Sequence, residues 1–98
     1  LRRVVRLTDA AIRELRRVRR YLTQPGAGDR GHERAQRIIA AIAALADEAD
    51  RFPSDPFRPG RRNRIVEGHV VSFTIVVRPD GGEDVSVERV YGPGQRRP

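Results

Sequence analysis

Arg64 to Tyr91 reads RIVEGHVVSFTIVVRPDGGEDVSVERVY, apolar and polar residues in alternation around two turn signals. Side chains alternate between the two faces of an extended chain, so Val71, Phe73, Ile75 and Val77 share one side of a strand running from His69 to Val77. Gly68 permits a tight turn back to a short strand over Arg64 to Glu67. Pro79, Asp80, Gly81 and Gly82 supply the next turn, with glycine furnishing the positive φ angles that hairpins demand. In the last strand, Asp84 to Tyr91, the spacing sets Val85, Val87 and Tyr91 against Ser86, Glu88 and Val90. A three-stranded antiparallel meander follows.

Upstream the period lengthens from two to between three and four. Ala35, Ile38, Ile39, Ile42, Leu45, Ala49 and Phe52 trace one face of a helix that Asp29 or His32 begins and Pro53 and Pro56 terminate. Its alanines favour helix and let a neighbour approach closely. Ala11, Ile12, Leu15, Val18 and Leu22 trace an earlier helix, capped by Thr8 and ending near Gln24, before Pro25. Ahead of it, Arg2 to Leu7 carries Val4, Val5 and Leu7 and reads as a strand. The order β-α-α-β-β-β predicts an α+β fold: a helical hairpin packed on one face of a mostly antiparallel four-stranded sheet. Residues 1–98 are expected to form a single domain, with 93–98 a flexible tail.

At 98 residues such a chain buries roughly two-thirds of its unfolded surface, enough for one core. It has no cysteine, which excludes disulfides, thiolate metal sites and cysteine nucleophiles. No apolar run approaches the roughly 18 residues of a membrane span, and the N-terminus lacks the apolar stretch of a signal peptide, so a cytoplasmic protein is expected. The chain opens at Leu1, which places the expected native start upstream. The formal charge of +7 is carried by arginine alone, without a single lysine. Lysine bases and Schiff bases are thereby excluded. Guanidinium groups suit carboxylates and phosphates, which favours an acidic or polyanionic partner. A GC-rich genome would raise arginine, alanine, glycine and proline together with no such meaning.

Phe52-Pro53, Arg64, the segment Gly68-His69-Val70-Val71-Ser72-Phe73 and the closing Val87-Glu88-Arg89-Val90-Tyr91-Gly92, in this order and spacing, resemble the RelE/ParE toxin superfamily and its ParE-like branch. The resemblance implies the toxin of a type II toxin–antitoxin pair that inhibits DNA gyrase by binding and is neutralised by a ParD-like antitoxin. RelE-like relatives are instead ribosome-dependent messenger RNA endonucleases. That alternative is disfavoured here by the absence of lysine, by Val70 where those relatives tend to carry arginine, and by a chain that ends soon after its last strand. Were it to hold, Arg61, Arg64 and Tyr91 would be the catalytic candidates. A non-toxic nucleic-acid-binding module is a further alternative, although direct nucleic-acid binding is not favoured.

Two arginine clusters are the candidate partner-binding residues. Arg13, Arg16, Arg17 and Arg20 recur at helical spacing opposite the apolar stripe of the first helix, where like charges repel and a partner would relieve them. As a solvated face, they would instead pair locally with Asp9 and Glu14. Arg58, Arg61, Arg62 and Arg64 crowd the loop entering the sheet, joined by Arg96 and Arg97 of the tail. Gly26 to Gly31 spells GxGxxG but follows a helix rather than a strand, so it reads as an interhelical turn. His32 and His69 share no ligand spacing, and His69 reads as a surface residue at a strand start. Neither a cofactor nor a metal is expected.

Overall fold

A computed structural model describes residues 3–93. Strand β1 is Val5–Leu7, α1 is Asp9–Leu22 and α2 is Gly28–Ala43. A four-residue helix α3, Leu45–Glu48, and a 3₁₀ turn, Ala49–Arg51, follow, then β2 (Arg62–Val66), β3 (His69–Val77) and β4 (Glu83–Tyr91). The sheet order is β1-β4-β3-β2, parallel between β1 and β4 and antiparallel elsewhere. This is the α+β arrangement expected from the periodicities.

Local chemistry explains most boundaries. The Thr8 hydroxyl accepts from the Ala11 N–H at 3.1 Å and donates to the Glu88 carbonyl at 2.8 Å, so one side chain caps α1 and ties its start to β4. The turn joining α1 and α2 has Gly26 and Gly28 at φ 90° and 68°. Gly31 serves closeness instead. A Cβ there would stand 1.8 Å from the Leu22 carbonyl oxygen, so glycine is what lets α2 start against the end of α1.

The core joins Ala11, Leu22, Ala35, Ile38, Ile42 and Leu45 of the helices to Val71, Phe73, Val85, Val87 and Val90 of the sheet. Phe52 meets Phe73 edge to face, with ring centroids 6.3 Å apart. Burying a side chain as large as Phe73 completely contributes about 3 kcal/mol. The helical hairpin therefore clamps β3 and β4 across one face of the sheet.

Four expectations need correction. Pairing skips Glu88, since Ser72 faces Arg89 while Phe73 faces Val87. This β-bulge reverses the alternation, so Val90 joins Val85 and Val87 in the core and Tyr91 turns to the other face. The second helix does not run unbroken to Phe52. It tightens at Ala44, whose carbonyl receives both Asp47 and Glu48 N–H groups at 3.0 Å, and no glycine or proline marks the step. Glu67 belongs to the turn rather than to β2, at φ 51° beside Gly68 at φ 73°. Closure of the two-residue turn by the Val66–His69 pair forces that geometry, and Arg34 and Arg37 hold the Glu67 carboxylate in place. His69 is 5% exposed rather than on the surface, its Nδ1 lying 2.8 Å from the Glu67 carbonyl.

Candidate partner-binding surfaces

On α1 the apolar stripe turns to the core, and Arg13, Arg16, Arg17 and Arg20 are all exposed on the opposite side. Among the described residues none of the four makes an ion pair or a side-chain hydrogen bond. The local pairing with Glu14 does not form, because Glu14 points the other way. Both its oxygens engage Arg89 at 2.7–3.0 Å, and Oε1 accepts from the Val90 N–H at 2.9 Å. Burial opposes the charged form of Glu14 more than any other single influence. Arg89, the Val90 N–H and Arg17 together outweigh it and hold the carboxyl below the ordinary glutamate range. The result is a stripe of four fixed positive charges about 10 Å long, at 1.5 Å of rise per residue.

The loop arginines divide into two kinds. Arg62 donates to the Phe52 carbonyl at 2.8 Å. Arg64 donates to the Ala41 carbonyl and to Glu48, each at 3.1 Å, and its guanidinium carbon lies 4.8 Å from the centroid of the Phe52 ring. Both fasten the end of the helical segment to β2. Arg58 lies 4.0 Å from Asp55, and the Arg61 guanidinium makes no hydrogen bond among the described residues. Buried Asp55 organises this loop by accepting from the Phe57 N–H at 2.8 Å and Asn63 at 3.1 Å. The Phe57 N–H, then Asn63, draw its carboxyl below the usual aspartate range. Arg96 and Arg97 lie outside the described residues.

The three ribonuclease candidates do not converge. Register puts Arg64 opposite Val71 and Val90 on the helix-covered face, whereas Tyr91 sits across from Val70 on the other face. Tyr91 is 2% exposed, with the Arg89 guanidinium 5.2 Å from its ring centroid. Arg61 precedes β2 altogether.

Two further features lie outside the apolar periodicities. Glu14 stands among Ala11, Leu15 and Val18 on the buried side of α1, and a charged residue inside an apolar stripe needs a partner; that signal was available. A cleft of about 450 Å³ beside the end of α1 is lined by Arg17, Val18, Tyr21 and Leu22, by Arg34 of α2, by His69 of β3, and by Gly92 and Pro93. It joins residues far apart in the chain and has no local signature. Among the described residues no cluster of three or more potential metal ligands occurs, and no helix is long and apolar enough to cross a membrane.

A family model described as the ParE toxin of type II toxin–antitoxin systems, parDE, matches residues 5–95. A solved structure titled "Chromosomal ParDE TA system from P. aeruginosa" superposes with a TM-score of 0.72 at 16% identity, covering 93% of this chain and 96% of that one. Among curated proteins none matches the chain. The family match bears out the resemblance carried by Phe52-Pro53, the glycine turn and the last two strands, and it takes in helices, loop and meander alike. The chain therefore belongs to the ParE toxin family of type II toxin–antitoxin systems.

Proposed function

We propose that this toxin acts by gripping a protein target, DNA gyrase, rather than by cutting RNA, and that a ParD-like antitoxin silences it by covering its arginine surface. The observation that carries the reading is the α1 stripe of Arg13, Arg16, Arg17 and Arg20, exposed on a ParE family member and making no ion pair or side-chain hydrogen bond among the described residues. Like charges at helical spacing repel by a few tenths of a kcal/mol per pair, and an acidic surface turns that cost into attraction. A binding role also agrees with the fate of the catalytic candidates, since Arg64 is held by Ala41 and Glu48 and lies across the sheet from Tyr91. Gyrase as target places the toxin in the bacterial cytoplasm.

A supercoiling assay with purified gyrase tests the proposal. Antitoxin-free toxin should block supercoiling, and addition of the antitoxin should restore it. Unimpaired supercoiling at saturating folded toxin, or cleavage of messenger RNA that depends on ribosomes, would overturn it.

A further inference from the structure

The 450 Å³ cleft at the end of α1 combines features that the α1 stripe alone lacks. Tyr21 on its rim is 67% exposed, unusually so for a large ring, while Leu22 is 4% and His69 5% exposed. The volume falls within the range of concave sites that seat small organic groups. Arg17 and Arg34 also line the cleft, and exposed Arg20 continues the positive rim along the helix. Arg34 is already paired with Glu67 at 3.5 Å, which leaves Arg17 and Arg20 as the cations here that make no ion pair or side-chain hydrogen bond among the described residues.

A larger hollow of about 650 Å³ lies between Arg3 and the β3–β4 turn, but its chief cations are already committed. Arg3 pairs with Asp50 and Glu83, and Arg78 with Asp80 and Asp84. The cleft beside Tyr21 instead offers an apolar recess and unengaged guanidinium groups together.

We infer that this cleft anchors one bulky apolar side chain of an acidic, amphipathic peptide segment whose flanking carboxylates meet Arg17 and Arg20. The inference rests on the antitoxin reading above and names where that partner holds on. Charge complementarity selects the acidic residues, and the apolar recess selects a peptide over nucleic acid. A phosphate backbone would use the arginines and leave the recess empty, whereas a leucine or phenylalanine between acidic residues uses both. Aromatic and arginine side chains are also the types that most often dominate binding energy at interfaces.

The test measures affinity of the full-length antitoxin for wild-type toxin and for Tyr21→Ala, Arg17→Glu and the distant control Arg51→Glu. Circular dichroism confirms that each variant, altered at an exposed site, keeps its fold. Tyr21→Ala and Arg17→Glu should each weaken binding by at least about tenfold, with Arg51→Glu within about twofold of wild type. Tight antitoxin binding that neither cleft variant disturbs sinks the cleft and leaves the antitoxin reading standing. Failure of the wild-type toxin to bind antitoxin removes both. Binding of a random-sequence DNA duplex that depends on Tyr21 would overturn the peptide in favour of nucleic acid.

Discussion

Glu14 of α1 and Arg89 of β4, 75 positions apart in the chain, form a two-pronged ion pair with contacts of 2.7–3.0 Å, and the same carboxylate receives the Val90 N–H. Strand β1 pairs with β4 only as far as Leu7 opposite Val87. Beyond that point Thr8 takes over at Glu88 and Glu14 at Val90. Two helix side chains therefore finish an edge that the short first strand leaves open.

Replacing Glu14 by alanine should strand the Arg89 guanidinium and the Val90 N–H together. A loss of about 2 kcal/mol is expected, or roughly 10 °C in Tm for a domain of this size. Glu14→Gln keeps an acceptor for Val90 and should lose less. Thermal unfolding followed by circular dichroism separates the two, and equal losses would show that the backbone contact contributes nothing.

The helix junction gives a sharper test. Gly31→Ala drives a Cβ toward the Leu22 carbonyl oxygen, so α2 must shift away from α1. Overpacking of this kind costs about 1–3 kcal/mol. Gly26→Ala has open space but a positive φ, and should cost only about 1 kcal/mol. Denaturant midpoints should rank the pair in that order.

Arginines of the loop should separate by role. Arg64→Ala removes its bonds to Ala41 and Glu48 and its contact with Phe52, so stability should fall by about 2 kcal/mol. Arg61→Ala should leave stability within about 0.5 kcal/mol of wild type. Should Arg61→Ala unfold the protein as readily as Arg64→Ala, the division into structural and free cations is wrong.

Exposed arginines of α1 should behave in the opposite sense. Arg16→Glu relieves repulsion with Arg13 and Arg20, so stability should hold or rise by a few tenths of a kcal/mol. Inhibition of gyrase should fall. Undiminished inhibition by Arg16→Glu together with Arg20→Glu would detach the α1 stripe from function.

Acid should loosen the fold in a defined sense. Glu14, Asp55, Glu67 and Asp84 all have carboxyls held below their ordinary values, Glu67 chiefly by Arg37 and Asp84 chiefly by the Val4 N–H. A depressed carboxyl stabilises the folded state fully above its unfolded pKa and loses that contribution as pH falls through the folded one. Stability should thus be flat near neutrality and fall progressively below about pH 4, the ordinary carboxylate range. Urea midpoints from pH 7 to pH 2 measure this, and a midpoint that stayed constant down to pH 2 would show that these carboxylates contribute no net stability.

The sequence makes the element order, the Thr8 cap, the glycine turns and the positive charge legible, because each follows from residues within a few positions of one another. It also makes plain that α1 shows arginine on the side away from its apolar stripe. Which arginines remain available depends on how distant segments pack. Arg62 and Arg64 look like Arg58 and Arg61 in the chain, yet β2 carries the first two in under Phe52 and Ala41. The bulge at Glu88, the capture of Glu14 by Arg89 and the cleft beside Tyr21 arise where segments distant in sequence meet, and local periodicity holds no information about such meetings.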